Sequence, residues 1–413
     1  MQQLKLPPIL PLSDFPETAE PKHPKAAGYD FYRNVLGSPK RIVAPMVSGS
    51  EYPWRILSNK LGAELCYSPM INSRSLTDNL RAKGATAREH ALAWFNTESG
   101  EEGHGDDQKL IVQLAGDDPA LILQAAESVQ DHCLGIDLNL GCPQHIAKRG
   151  HYGAFLQEDW HLIFDIISTL HRNLKVPVTA KMRVFPDVER TVAYAQMLER
   201  AGAQIVTCHG RTREQKGHLS GLADWEKIKA VKEALKVPVF ANGNVLYRED
   251  VDACLETTGV DGVMSAEGNL YNPALFASEP VLDKLPSGLL PHRRGVEGSP
   301  EVAVRREWAE FPYIPALAHM YLDEVAKCQH KVDKAAVKGH IFKICRPALA
   351  KHPDLRPSIG KAMLAYPGDK RAAKETDSVH EDESLPEGER VVKQYRDIMR
   401  ELDGRLQVSR LTA

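Results

Sequence analysis

Short apolar runs alternate along most of the chain with longer stretches in which apolar residues recur every three or four positions. The runs occupy residues 42–47, 63–68, 110–115, 135–140, 177–183, 205–209, 238–242 and 262–265. Between them, residues 119–131, 160–173, 188–201, 225–235 and 248–257 have the period of amphipathic helices. Strand alternating with helix predicts a parallel sheet, and eight such units are what an α/β (β/α)8 TIM barrel needs. The competing architecture is a doubly wound open sheet. It loses ground because no G-x-G-x-x-G follows the first run.

The remaining segments predict a second, smaller all-helical domain. Residues 1–28 are proline-rich and read as an extended arm. The barrel is then expected over 29–282, a linker over 283–303 and a helical domain over 304–366, with helices at 304–327 and 334–351. Residues 367–388 are polar, acidic and poor in aromatics, the composition of a disordered segment. A last helix and tail are expected over 389–413. Residues 97–108, acidic and glycine-bearing, read as a surface loop before the third run.

Composition narrows the class. The chain has 413 residues, 43% hydrophobic and 26% charged, with a net charge of −3. It is not a basic protein overall, so any affinity for nucleic acid must come from a local patch. Seven cysteines with no CxxC pair indicate reduced thiols and a cytoplasmic or nuclear setting. The N-terminal stretch lacks the basic and apolar regions of a signal peptide, and no apolar run is long enough to span a membrane. No obligate protein partner is evident.

Chemistry gathers at the ends of the predicted strands. The fourth run, Gly135-Ile136-Asp137-Leu138-Asn139-Leu140, breaks at Gly141 and is followed by Cys142 and Pro143. A thiol there can act as an acid or a nucleophile, or it can be a small buried filler at a turn. Gln113 lies inside the apolar run LIVQLAG, where a buried amide must have its bonds made, within a structural network or by a ligand. Lys181 is the stronger anomaly, because a lysine inside a strand of this kind is almost never buried without a partner. His209 ends the sixth run, with Arg211 and Arg213 just beyond it. The strand end Pro45-Met46-Val47 offers a flat apolar platform. Asn242-Gly243-Asn244 and Ala266-Glu267 stand where loops of such barrels commonly hold a phosphate. Together the platform, the cation and the phosphate cradle suit flavin mononucleotide (FMN).

Basic residues also outnumber acidic ones across 327–356. If that stretch is one helix, Lys327, Lys331, Lys334 and Lys338 share a face, as an RNA platform or as a solvated surface. Cys328, His330, His340 and Cys345 have spacings that fit no common zinc site, so no metal is expected.

These motifs resemble the tRNA-dihydrouridine synthase family. The residues that carry the resemblance are APM at 44–46, VQLAG at 112–116, DLNLGCPQ at 137–144, the strand holding Lys181, HGRTREQ at 209–215, FANGNV at 240–245 and GVMSAEG at 262–268. The form of the segment after Cys142 is similar to the eukaryotic branch that acts on positions 16 and 17 of the D-loop. The likeness is detailed from about residue 40 to 276, and looser over HIFKICRPAL at 340–349. It implies reduction of the uracil C5–C6 bond in a tRNA substrate, with FMN as cofactor and NADPH or NADH as reductant. Cys142 would give the proton to C5. Pro45, Met46, Val47, Gln113, Lys181, His209, Asn242, Gly243, Asn244, Ala266 and Glu267 would hold the flavin, and Asn139, Arg211, Arg213, Lys148, Arg149, Lys334 and Lys338 the RNA. Many relatives carry an arginine where Glu267 stands, which leaves more of the phosphate binding to backbone amides. The rival readings are a flavin-dependent reductase or dehydrogenase of free pyrimidines, a Schiff-base aldolase-type barrel using Lys181, and a non-catalytic RNA-binding module.

Overall fold

The computed structural model describes residues 9–81, 95–277, 313–366 and 384–411. These fall into two compact units, one of residues up to 50 with 64–266, the other of 51–63 with residues from 267 onward. The expected boundaries at 29 and 282 therefore shift. Residues 51–63 leave the barrel for the helical unit, and the division falls after Ala266.

The first unit is a closed parallel barrel. Its strands are β1 (Arg41–Val43), β2 (Leu65–Tyr67), β3 (Ile71–Asn72), β4 (Leu110–Ala115), β5 (Gly135–Leu140), β6 (Val178–Arg183), β7 (Val206–His209), β8 (Val239–Asn242) and β9 (Gly262–Ser265). The order is β2-β1-β9-β8-β7-β6-β5-β4-β3, and a further pairing of β2 with β4 closes the ring. The two-residue β3 continues the path of β2 along β4 after an interruption at Ser68 and Pro69. The Ser68 hydroxyl fills the gap by accepting from the Gln113 backbone N–H at 3.0 Å. Expected to run to 47, β1 stops at Val43. Pro45 has no N–H for a ladder, and the next residues turn so that Gly49 and Ser50 donate to the Met46 carbonyl.

Four helices that follow strands start on an aspartate whose carboxylate accepts from the first turn: Asp118, Asp159, Asp187 and Asp224. Their apolar faces pack on the ring. The N-terminal end of the barrel is plugged by residues 28–36, whose Phe31, Tyr32 and Leu36 pack with Ile42, Leu65, Tyr67, Ile111, Phe240 and Met264. Tyr32 Oη donates to the Asp261 carbonyl at 2.8 Å, and Gly28 N to Gln204 Oε1 at 2.7 Å. With that end filled, side chains at the C-terminal end are the ones that can meet a ligand.

The described part of the arm, residues 9–28, docks on the barrel instead of extending away. Phe15 is buried against His161 and Phe164, and Lys25 Nζ donates to the carbonyls of His171 and Leu174 at 2.5 and 2.7 Å. Residues 1–8 lie outside the described residues. The acidic stretch 97–108 is also more than a surface loop. Asp107 is fully buried and accepts from Gly103 N at 2.8 Å.

The helical unit contains Tyr52–Lys60, Glu267–Tyr271, Tyr313–Lys327, Lys334–Ile344, Arg346–Lys351, Arg356–Lys361 and Glu387–Leu411. Its centre is a buried polar cluster: His340 stacks on Trp54 at 3.9 Å and bonds Glu51 at 2.9 Å, and Tyr321 Oη donates to Glu51 at 2.7 Å. The helix ends at Lys327 and a new one starts at Lys334, capped by Asp333 through Ala335 N. Lys327, Lys331, Lys334 and Lys338 therefore do not form one continuous stripe. The expected helix 334–351 breaks again at Cys345, because Pro347 takes the first turn of the next helix. The linker 283–303, residues 304–312 and most of the acidic segment 367–388 lie outside the described residues. Among the described residues no helix is long and apolar enough to cross a membrane.

Phe31 is fully enclosed by the plug cluster. Phe31→Ala is expected to destabilise the barrel by about 3–5 kcal/mol, read as a lower midpoint of denaturant unfolding; a midpoint unchanged from the parent would show that the plug does not support the ring.

Candidate functional site

The turn that carries Cys142 is held by its neighbours on several sides. Asn139, near the end of β5, turns its amide oxygen toward the turn and accepts from Gly141 N at 3.1 Å and Cys142 N at 2.9 Å. From β6, Arg183 Nε donates to the Gly141 carbonyl at 2.6 Å. Lys216 Nζ donates to the Pro143 carbonyl at 2.8 Å, and Ala154 N to the Cys142 carbonyl at 3.1 Å. The thiol itself is partly buried beside Met70, Ala115, Ala147, Tyr152 and Phe155. It stands at the C-terminal end of a barrel strand, where it can meet a ligand.

Behind this turn the barrel interior is polar. The Gln113 amide bridges two β5 side chains: its Nε2 donates to Asp137 Oδ2 at 2.7 Å, and its Oε1 accepts from Asn139 Nδ2 at 2.7 Å. Thr179 Oγ1 donates to the other Asp137 oxygen at 2.6 Å. Burial pushes the Asp137 carboxyl up to about 6 against the opposing effect of those two bonds and of Lys181. Lys181 Nζ donates to Asn242 Oδ1 at 3.0 Å, and Asn242 Nδ2 donates in turn to the Met264 carbonyl at 2.9 Å. Burial, and then the Arg183 charge, bring the Lys181 amine down to about 8. The same burial with Lys181, Arg183 and Arg211 around it holds His209 well below the ordinary histidine value, so its ring is neutral. Arg211 Nη1 lies 3.2 Å from His209 Nε2. A guanidinium can only donate, so that nitrogen accepts and the ring proton sits on Nδ1.

At the end of β8 the backbone turns tightly against its neighbours. Gly243 has φ +112°, and a Cβ there would stand 2.7 Å from Ala223 Cβ and 3.1 Å from the His209 ring. Asn244 is also left-handed, at φ 62°. Its side chain, expected at a phosphate site, bonds the protein: it accepts from Arg211 Nη2 at 2.9 Å and Ala223 N at 3.0 Å, and donates to the Ala223 carbonyl at 3.0 Å. At the end of β1, Met46 packs on the plug cluster together with Ala266, Pro45 is partly buried and Val47 is 51% exposed. Glu267 opens a helix of the second unit, and its carboxylate accepts from Tyr271 Oη at 2.8 Å.

The cations expected to meet RNA divide into two kinds. Lys148 and Arg149, on a short helix after the Cys142 turn, are exposed. Arg213 is turned inward instead: it pairs with Glu158 at 2.6 Å and Glu214 at 3.2 Å and lies over the Phe155 ring. Arg211 also donates to the Gly221 carbonyl at 2.9 and 3.0 Å, so it shapes its own loop. In the helical unit Lys334 is exposed, while Lys338 Nζ donates to the Gly360 carbonyl at 2.5 Å.

Arg183, Lys216 and Asp137 had been given no role from sequence, yet they shape the site. Alternation offered a signal for two of them: Asp137 shares a strand face with Asn139, and Arg183 shares one with Lys181. Lys216, in a loop, offered none. Among the described residues no group of three or more histidine, cysteine or acidic side chains could hold a metal ion.

Residues 42–290 match the family model described as dihydrouridine synthase. The chain is 45% identical over 338 residues to the mouse protein named tRNA-dihydrouridine(16/17) synthase [NAD(P)(+)]-like, an alignment covering 82% of this chain and 62% of that one. It is 43% identical over 342 residues to the Schizosaccharomyces pombe tRNA-dihydrouridine(16/17) synthase [NAD(P)(+)], covering 82% and 76%. The Saccharomyces cerevisiae protein of that name is 46% identical over 327 residues, covering 78% and 69%. The chain thus spans somewhat less than two thirds of the mouse relative's length.

Gly153 tests how tightly the Cys142 turn is built. Its φ is +66°, and a Cβ would meet the Cys142 carbonyl oxygen at 2.8 Å and the Cys142 Cβ at 3.0 Å. Gly153→Ala is expected to cost about 1–3 kcal/mol from left-handed strain and overpacking, read as a lower melting temperature. It should also change the rate at which Cys142 is alkylated; parent-like values for both would show a slack turn.

Proposed function

This chain belongs to the dihydrouridine synthase family, and from that premise we propose that it reduces uridine to dihydrouridine at positions 16 and 17 of the tRNA D-loop, using FMN and NADPH or NADH. The observation that carries this reading is the convergence, at the C-terminal end of the barrel strands, of a thiol on a held turn, a buried amine and a left-handed glycine turn.

The residues present fit a flavin. Lys181 is a cation deep in the barrel whose amine burial already weakens, so an anionic partner would restore its charge. A neutral His209 can donate from Nδ1 without adding positive charge. The left-handed turn at Gly243 and Asn244 would offer backbone N–H groups to a phosphate. Pro45, Met46 and Val47 would lie along the ring, and Gln113 would meet its edge. Asn242 would act by orienting Lys181, and Asn244 by shaping the loop beside it. When bound, the flavin supplies the hydride for uracil C6, having been reduced by the nicotinamide.

This chain's own chemistry is then the proton. As C6 gains hydride, negative charge develops over C5 and O4, and Cys142 Sγ delivers a proton to C5. Because the turn is held by Asn139 of its own strand and Arg183 of the next, the thiol would already be positioned when the base arrives. A stacked uracil cannot reach a strand end inside a barrel, so the base must be turned out of the loop. Exposed Lys148 and Arg149, and Lys334 in the helical unit, would contact RNA phosphates.

The test begins with the colour of the purified protein and the nucleoside content of tRNA incubated with it and NADPH. One bound FMN and dihydrouridine at positions 16 and 17 are expected; a protein that cannot be loaded with flavin would end this reading. Cys142→Ala should keep flavin binding and its reduction by NADPH while lowering dihydrouridine formation by roughly two to four orders of magnitude. Near-parent turnover would reassign Cys142 to packing.

Lys181 gives an independent check through protons. Its amine lies at about 8 against an ordinary 10.5, so without ligand its charge is mostly lost by pH 9. An anionic ligand beside it raises that value again, and binding must then take up a proton. The enthalpy of FMN binding at pH 9 should therefore depend on the ionisation enthalpy of the buffer. Lys181→Met should abolish that dependence, and a buffer-independent parent would exclude Lys181 from the flavin site.

A further inference from the structure

Two amide side chains join a buried carboxylate to the turn that carries Cys142. At one end is Asp137, fully buried, whose oxygens accept from Gln113 Nε2 at 2.7 Å and Thr179 Oγ1 at 2.6 Å. Gln113 Oε1 then accepts from Asn139 Nδ2 at 2.7 Å. At the other end, Asn139 Oδ1 accepts from the N–H groups of Gly141 and Cys142 at 3.1 and 2.9 Å. An ionised carboxylate only accepts, and a peptide N–H only donates. A primary amide has one end of each kind, so two amides in series connect these termini with every contact matched. The direction of each amide is thereby fixed by the two ends of the chain.

We propose that Asp137 is a positioning residue for the reaction: by accepting from Gln113 it fixes the direction of both amides, so that Asn139 presents oxygen to the Cys142 turn. This rests on the function proposed above only for what the turn does; the relay itself is a property of the fold. Reversing both amides would set Asn139 Nδ2 against two N–H donors, loosening Cys142 just where the proton must be aimed. Tyr67 and Lys181 are the other ionisable groups that feel Asp137. Burial holds the Tyr67 hydroxyl protonated, and Lys181 supplies the nearby positive charge. Neither takes part in the chain of bonds that sets the amides.

The matching can be broken and restored without changing side-chain size. Asn139→Asp places a carboxylate at each end of Gln113, whose amide has only one donor end. One contact must then become oxygen against oxygen, unless Asp137 takes up a proton. Adding Asp137→Asn supplies the missing donor, because its Nδ2 can face Gln113 Oε1 once that amide reverses. Asp137→Asn alone can still accept from Gln113 by giving its Nδ2 to Thr179 Oγ1.

Four FMN-loaded proteins, the parent, the two single variants and the double variant, are compared at pH 8. That is well above the Asp137 value of about 6, so the carboxylate is ionised at the start. Single-turnover reduction of uridine in tRNA is measured after pre-reduction, alongside flavin content and the melting temperature of the flavin-free proteins. Asn139→Asp should slow turnover by at least about tenfold with normal flavin content. The double variant should recover most of that loss, and Asp137→Asn alone should be the milder single variant; pairs coupled through one network are non-additive in this way. A double variant no faster than Asn139→Asp, or an Asn139→Asp protein at the parent rate, overturns the proposal. Rescue of melting temperature without rescue of turnover overturns it too, since the relay would then be structural only. A parent that forms no dihydrouridine refutes the function proposed above, and the melting temperatures still decide whether the relay exists.

Discussion

A charge enclosed within a closed barrel must be matched by protein dipoles, and the arrangement of this site follows from that requirement. Asp137 and Lys181 stand on adjacent strands, and burial pushes both toward their neutral forms. Each is held by a polar side chain that is itself bonded onward. Gln113 carries the influence of Asp137 to Asn139 and the Cys142 turn. Asn242 carries that of Lys181 to the β9 backbone. A group left unmatched in such surroundings costs about 1–3 kcal/mol, which is why the partners extend in chains and do not stop at single contacts. The plug of Phe31, Tyr32 and Leu36 completes the constraint by filling the other end of the ring.

Much of this was legible in the chain. Short apolar runs alternating with stretches of helical period gave the barrel, and Gln113, Cys142, Lys181 and His209 stood out because each interrupts an apolar run, ends one or follows its end. Details set by single residues were readable in principle. Pro45 and Pro69 end or interrupt strands, Asp333 starts a helix and Pro347 restarts one. The lysine spacing at 327, 331, 334 and 338 was persuasive only while the helix was taken as continuous. The docking of Phe15 had no local signal, because its partners His161 and Phe164 lie far along the sequence.

What sequence could not separate is cations that face a ligand from cations that hold the chain together. Arg183 bonds the carbonyls of Gly141, Thr212 and Gln215, and Arg211 bonds that of Gly221. Backbone carbonyls occur at every residue, so such partners leave no mark in the sequence. Arg213, expected at the RNA, is turned to Glu158 and Phe155, and the carboxylate that decides this lies 55 residues away. Lys148 and Arg149 remain exposed because the buried member of their short helix is Ala147, which turns the basic pair to solvent.

Electrostatics alone would allow a second chemistry at Lys181. An amine near 8 keeps a useful neutral fraction at physiological pH, which is what a Schiff-base lysine needs. The surrounding groups argue against it. His209 Nε2 faces a guanidinium, so it is not available as the base such a reaction requires. An aldolase would also leave Cys142 without work, although Asn139, Arg183, Lys216 and Ala154 all hold its turn. Fixing the turn beneath a thiol from so many directions fits the proposed function, in which that thiol must meet one carbon of one base. On the proposed function the buried amine would serve as a charge whose strength rises when an anion binds beside it.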